Sequence, residues 1–221
     1  MYLYKRLGDT IRFLWKNPLL FAAYLPLALL SFINVSFDST LSVVFAVLYM
    51  ALLFILSSWV FSFLVVETYY HTHHKHSDFK HSFRTASSKF LTILAAEVLL
   101  IFMVSIFSTL MDYFAVAFTS NLGQAFTIVF FLAFLSLIVK VSLFIPSAVL
   151  RGKLGFVESW KLIGIKEFFE VLIFLVLYSV ISYLISYLNP LVAHLGDFVN
   201  SIVLGPAIII VLTLLYLDYL R

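Results

Sequence analysis

Long runs of apolar residues, separated by short polar stretches, dominate this sequence. Of its 221 residues, 63% are hydrophobic and 11% are charged, whereas soluble domains average about 25% charged residues. A helix that crosses a bilayer needs about 20 mostly apolar residues. Six segments approach or exceed this length, namely 18–33, 41–66, 90–111, 124–147, 168–188 and 198–217. The sequence therefore predicts an all-α integral membrane protein with six transmembrane helices in three antiparallel hairpins.

The positive charges lie on alternate connections between these segments. Thirteen of the fourteen cations precede the first segment, lie between the second and third or the fourth and fifth, or end the chain: Lys5, Arg6, Arg12, Lys16, Lys75, Lys80, Arg84, Lys89, Arg151, Lys153, Lys161, Lys166 and Arg221. The other three connections contain no Lys or Arg. The positive-inside rule then predicts a multi-pass plasma-membrane protein with both termini in the cytoplasm. The net charge of +3 is thus explained by membrane lipids as partners, and we expect no binding of nucleic acid.

A short pattern precedes the first, third and fifth apolar segments. It consists of a small hydroxyl residue, a large apolar residue and a cation, followed five residues later by Asn or Lys. The copies are Thr10-Ile11-Arg12 with Asn17, Ser82-Phe83-Arg84 with Lys89, and Ser159-Trp160-Lys161 with Lys166. We interpret them as an internal threefold repeat within one membrane domain, 1–221, whose units are about 5–66, 78–147 and 155–218.

The first two copies have the spacing of an amphipathic helix, and the third is less regular. In the second, Phe79, Phe83 and Phe90 share one helical face, while Lys80 and Arg84 lie on the opposite face. Such a helix lies in the headgroup plane, with its cations among the phosphates. We therefore predict interfacial helices before the first, third and fifth spans. The predicted lipid-contacting residues are Arg12, Trp15, Lys16, Lys80, Arg84, Lys89, Trp160, Lys161 and Lys166.

Two charged residues, Glu97 and Lys140, fall inside apolar segments. Counted from the connection between their helices, they lie at matching depth. A lone charge near the centre of a spanning helix costs about 2.5–3.5 kcal/mol on insertion scales, so pairing is the expected remedy. We predict an intramembrane charged pair of Glu97 and Lys140. An ion or proton relay, a headgroup contact, and a Lys140 side chain that extends to the interface are alternatives.

Histidines cluster after the second apolar segment, where five of the six occur: His71, His73, His74, His76 and His81. If the second helix continues past Val66, then Glu67, His71, His74 and Asp78 share one face. Two imidazoles and two carboxylates can bind zinc or another divalent ion, the only cofactor we predict. Alternatively, the segment is a solvated loop whose positive charge grows below about pH 6.5 and strengthens its contact with anionic lipid.

The sequence resembles a broad family of prokaryotic multi-pass membrane proteins. The resemblance rests on Phe144-Ile145-Pro146, Val149-Leu150, Glu158-Ser159-Trp160-Lys161-Leu162, and the opening Phe13-Leu14-Trp15-Lys16-Asn17-Pro18. That family includes the membrane domain found beside some glycerophosphodiester phosphodiesterases and related archaeal proteins. The resemblance implies six helices with interfacial elements and brings no catalytic residues. Arg151 stands where the family often has an acidic residue.

Common sequence motifs of enzyme active sites are absent from the chain, which has no Cys, no GxSxG, no P-loop and no HExxH. We therefore expect no enzyme, but a membrane scaffold or accessory subunit that binds a protein partner, a second copy of itself or lipid. The alternatives are a small transporter or channel that uses Glu97 and Lys140, and a metal-dependent membrane enzyme that uses the histidine cluster.

Overall fold

Helices account for nearly all of the fold. The computed structural model describes residues 2–30, 40–73, 79–117, 121–151, 155–190 and 195–220, and no strand forms within them. In chain order the helices are α1 (Tyr2–Lys16), α2 (Leu19–Leu30), α3 (Thr40–Thr72), α4 (Phe79–Ala117), α5 (Asn121–Val141), α6 (Phe144–Arg151), α7 (Phe156–Leu162), α8 (Ile165–Ser186), α9 (Leu195–Val199) and α10 (Gly205–Tyr219). A π-helical turn, Asn200–Leu204, joins α9 to α10.

Among the described residues, five helical stretches are long and apolar enough to cross a bilayer. They are Val43–Thr72, Phe79–Tyr113, Ala125–Arg151, Ile165–Ser186 and Leu195–Tyr219. A sixth candidate is the pair α1 and α2, whose axes meet at 89°. The predicted all-α membrane architecture is confirmed, and the predicted number of six spans is reached if α1 and α2 together count as one span. The right-angle bend separates the amphipathic α1 from the apolar α2.

The second and third spans are longer than their predicted apolar cores. Helix α3 continues beyond Val66 to Thr72, and α4 runs without a break from Phe79 to Ala117. The interfacial segment predicted before the third span is therefore not a separate helix. No Gly or Pro lies within α4, so nothing in the backbone forces a turn between its cationic start and its apolar continuation.

The fourth span has a break that the apolar pattern did not reveal. It divides into α5 and α6 at Ser142 and Leu143. Six of the eight residues of α6, from Phe144 to Val149, are buried. In the last span, the π-helical turn ends at Leu204, directly before Gly205 and Pro206.

The centre of the molecule is formed by α10, α6 and the second half of α3. Each of these three elements packs against the other two. Every side chain of α10 from Ile209 to Asp218 is buried, as expected for a helix that is apolar all round. The remaining spans expose large apolar side chains, such as Phe102 and Phe131, which suits contact with lipid.

Helix α1 lies against this centre through one face. Leu3, Thr10 and Leu14 are buried, at the spacing i, i+7, i+11 that defines one side of a helix. Arg6, on the same helix, donates hydrogen bonds to both carboxylate oxygens of Asp218 near the end of α10. An ion pair therefore ties the first helix to the last.

Candidate lipid-binding site

An apolar groove is lined by α4, α5 and α7. Its volume is about 440 Å³. Apart from one lysine, its lining side chains are apolar: Leu99, Met103, Leu137, Val141, Phe156, Val157, Trp160 and Lys161. A groove of this size and composition suits a hydrocarbon chain.

A second cavity of about 610 Å³ adjoins the groove. The two share four lining residues, Lys161 among them. The second cavity adds the ion pair that Arg151 forms with Glu158. Glu158 is paired with Arg151, and Lys161 forms no ion pair with an acidic residue in the described part of the chain. The apolar groove is therefore lined by an exposed cation that has no ion-pair partner among the described residues.

Gly155, directly before α7, allows that helix to pack closely against α6. Its backbone has φ of 81°, a left-handed conformation that glycine adopts without steric cost. A Cβ at this position would lie 3.0 Å from the Ala148 amide nitrogen and closer still to the Phe144 carbonyl oxygen. The backbone before α7 thus touches the backbone of α6. The ring of Phe156 then stacks on that of Phe144, with centroids 5.0 Å apart.

Ser159 joins α7 to the break between α5 and α6. Its buried hydroxyl donates to the carbonyl of Lys140 at 2.7 Å and accepts from the amide of Leu143 at 3.1 Å. Both backbone groups lie where the helical hydrogen-bond pattern is interrupted, and buried polar groups without a partner are costly. One side chain therefore stabilises the break and fixes α7 above the groove.

Lys140 contributes to the same junction. Its ammonium donates to the carbonyl oxygen of Ile163, just after α7, and lies 5.7 Å from the centre of the Trp160 ring. The Oε2 atom of Glu97 lies instead 2.7 Å from the Ser58 hydroxyl oxygen and 3.4 Å from that of Ser57. The structure does not bring Glu97 and Lys140 together. Each residue has its own partners, because equal depth along two helices does not make their side chains face each other.

The three copies of the sequence pattern share one distribution of burial. The hydroxyl residue is buried in each copy, at Thr10, Ser82 and Ser159. The next two residues are exposed in each copy, namely Ile11 and Arg12, Phe83 and Arg84, and Trp160 and Lys161. Trp15, Lys16, Lys80 and Lys166 are exposed as well, and Lys89 is half-buried. All the predicted lipid-contacting residues except Lys89 therefore present exposed side chains.

A smaller polar cleft of about 280 Å³ lies between α1, α3 and α10. Arg6 lines it but is paired with Asp9 as well as Asp218. Arg12 and Lys16 also line it, and neither has an acidic partner in the described ranges. The cleft is a second position where a cationic surface meets the ends of the spanning helices.

Two of the four predicted metal ligands, Glu67 and His71, lie one turn apart on α3. The ring of His71 packs against that of Phe13, with centroids 4.5 Å apart. His74 and Asp78 lie outside the described residues. Within those that are described, no three His, Asp or Glu side chains converge on a point where a metal could bind. The divalent metal site stays a prediction.

Sequence reasoning missed the groove, the role of Ser159 and the serines beside Glu97. Lipid-facing and core positions of a membrane helix carry the same apolar residues, so the sequence does not indicate that Leu99 and Leu137 line a groove. Ser57 and Ser58 did offer a signal, since they are adjacent hydroxyl residues in an otherwise apolar run.

No family model, curated protein or solved structure matches this chain. The resemblance to the membrane domain found beside glycerophosphodiester phosphodiesterases therefore stays a prediction.

Proposed function

We propose that this protein is a non-enzymatic membrane scaffold that holds an anionic phospholipid. An acyl chain occupies the groove between α4 and α5, and the phosphate lies beside Lys161. The observation that carries the proposal is the continuity of an apolar groove with an exposed cation that has no acidic partner. Burial of each CH₂ group contributes about 0.8 kcal/mol, and a cation near an anionic headgroup about 1 kcal/mol.

Trp160 and Lys161 are well suited to the end of such a site. Tryptophan concentrates at the level of the lipid headgroups, because its ring is apolar while its N–H can donate a hydrogen bond. Lysine extends an apolar stem along the hydrocarbon and keeps its ammonium among the phosphates. Both side chains belong to α7, which Gly155 and Ser159 hold in place.

The packing of the interior favours a scaffold over a channel. Where α3, α6 and α10 meet, the buried side chains are mostly aliphatic; Leu64, Ala148 and Ile210 belong to one continuous cluster. A polar route through the centre would have to separate these three elements. We propose accordingly that the protein acts through what it binds, namely lipid and either a protein partner or a second copy.

The contacts between helices support the proposed threefold repeat. The first helix of each unit packs on a helix of another unit: α1 on α10, α4 on α3, and α7 on α5. This cyclic order, with the shared burial of Thr10, Ser82 and Ser159, is what three related units around one axis would produce. We propose that all three units turn their cations toward the cytoplasm, in the plasma membrane, with both termini on that side.

Native mass spectrometry of the purified protein tests lipid binding. The protein is offered equal amounts of phosphatidylglycerol and phosphatidylcholine in mild detergent. Wild-type protein is expected to retain phosphatidylglycerol preferentially. Lys161→Gln should reduce that preference about fivefold, as expected for the loss of about 1 kcal/mol. Met103→Trp should reduce retention of both lipids, because the larger ring fills the groove.

Lys5→Gln is the matched control for charge, because Lys5 is exposed and lines neither the groove nor the cavity beside it. Equal loss of phosphatidylglycerol in both lysine variants would contradict a site at Lys161 and indicate diffuse attraction by charge alone.

The proposed scaffold function is tested by purification from native membranes, which should yield a stoichiometric partner or a defined oligomer. A protein that is isolated alone as a monomer would contradict it.

A further inference from the structure

Glu97 is a buried carboxyl group within a membrane-spanning helix. It lies on α4, inside the span Phe79–Tyr113, and is 7% exposed. Its neighbours on α3 are hydroxyl groups. The oxygen Oε2 lies 2.7 Å from the Ser58 hydroxyl and 3.4 Å from that of Ser57. The lipid proposal does not involve this site.

The hydrogens available around Oε2 are too few for an ionised carboxylate. Ser58 Oγ lies 2.7 Å from Phe54 O as well as from Glu97 Oε2, yet a serine hydroxyl has one hydrogen to donate. Ser57 Oγ is likewise closer to Phe54 O, at 3.1 Å, than to Oε2. If the Ser58 hydrogen goes to the Phe54 carbonyl, the short contact between the two side chains needs a hydrogen on Glu97. A neutral Glu97 supplies it, donating to Ser58, which donates to Phe54.

The other carboxyl oxygen leads to the same conclusion. Oε1 is buried and accepts no hydrogen bond from any described residue. No Lys, Arg or His in the described ranges lies within ion-pair distance of Glu97, and Lys140 is held at the Ile163 carbonyl. An ionised carboxylate in such surroundings is strongly disfavoured, whereas the carbonyl oxygen of a neutral acid tolerates them far better.

We propose that Glu97, with Ser58 as its hydrogen-bond acceptor, is a proton-binding site in the membrane-spanning region and is occupied at neutral pH. The ligand is a single exchangeable proton. A carboxyl group in this state also reacts with lipophilic carbodiimides. Its O–H adds across one C=N bond to give an O-acylisourea, which rearranges to an N-acylurea, so the whole reagent is retained and nothing leaves.

Infrared difference spectroscopy on protein in phosphatidylcholine vesicles at neutral pH tests the proposal. Wild-type protein should show the carbonyl band of a protonated carboxyl group, which shifts in D₂O and is lost in Glu97→Gln. Labelling with dicyclohexylcarbodiimide should place one reagent molecule on Glu97 and none on that variant. Glu170→Gln is the matched control, because Glu170 is equally buried at 7% exposure and lies on a spanning helix. It should keep both signals from Glu97.

Loss of a carboxylate band instead of a carbonyl band in Glu97→Gln would overturn the proposal. If that variant fails to fold, Ser58→Ala provides a second test that retains the carboxyl group. Removal of the acceptor should shift the carbonyl band to the higher frequency of an acid without a hydrogen bond. An unshifted spectrum in Ser58→Ala, or wild-type protein that takes up no label at Glu97, would also overturn it.

Discussion

Replacing Gly155 by alanine should destabilise the protein strongly, because this glycine seats α7 against α6. Its φ of 81° lies in the left-handed region, where a residue with a Cβ is less stable by about 1–2 kcal/mol. The new Cβ would also lie 3.0 Å from the Ala148 nitrogen and closer to the Phe144 oxygen. Both atoms belong to the backbone of a buried helix and cannot rotate away.

The magnitude follows from these two effects together. Overpacking of a buried site typically costs about 1–3 kcal/mol. Added to the conformational cost, this gives a total of about 2–5 kcal/mol for Gly155→Ala. Equilibrium unfolding in mixed micelles, with increasing fractions of sodium dodecyl sulfate, measures the change in free energy of unfolding.

Gly8→Ala is the control for this measurement. Gly8 lies within α1, and a Cβ built on it meets nothing within 4 Å. Alanine there should stabilise the helix by about 0.5–1 kcal/mol. Surface substitutions without structural effect usually change the free energy of unfolding by less than about 0.5 kcal/mol. If the free energy of unfolding of Gly155→Ala lies within that range of the wild-type value, the close packing of Gly155 against α6 is wrong.

Three further substitutions test other contacts by the same unfolding assay. Arg6→Met should cost about 3–5 kcal/mol, because it leaves the buried Asp218 carboxylate without its main partner. Ser159→Ala should cost about 1–3 kcal/mol, because two buried backbone groups lose their hydrogen bonds. Lys140→Met and Glu97→Gln should be additive within about 0.5 kcal/mol, because the two residues have separate partners.

A specific experimental result would contradict each of these predictions. Arg151→Met is the control for Arg6, because the Arg151 side chain is 48% exposed and exposed pairs contribute about 0–1 kcal/mol. Equal losses in the two arginine variants would contradict the buried ion pair. Ser179→Ala, at an exposed position of α8, should have little effect, and a similarly small effect at Ser159 would remove its assigned role. Coupling above 1 kcal/mol between Glu97 and Lys140 would indicate direct contact.

The all-α membrane architecture could be predicted from the sequence, because a bilayer accepts few structures other than long apolar helices. The predicted second span shows that the ends of a helix are harder to predict than its presence. Its apolar core ends near Val66, but α3 continues to Thr72, because a helix does not stop where hydrophobicity falls unless a breaker is present. Charge and hydropathy therefore located the membrane region and left the helix ends undetermined.

The break in the fourth span could not be predicted from local sequence. It is stabilised by Ser159, which is 16 residues away from Leu143, and α6 is contacted by the backbone of Gly155. Both interactions form only after α7 has folded back.

Whether the side chains of Glu97 and Lys140 face each other could not be predicted from the sequence, for a similar reason. Depth can be counted along the chain, but the direction of a side chain around its helix depends on how neighbouring helices pack.

Photo-crosslinking with phosphatidylglycerol that carries a diazirine in its acyl chain tests the central claim most directly. Protein in vesicles is irradiated, and the crosslinked residues are mapped by mass spectrometry. The lipid-binding proposal predicts crosslinks concentrated at Met103, Leu137 and Val141, reduced by excess phosphatidylglycerol but not by phosphatidylcholine, and diminished in Lys161→Gln. Crosslinks spread evenly over all exposed apolar surfaces, including that of α8, would contradict it.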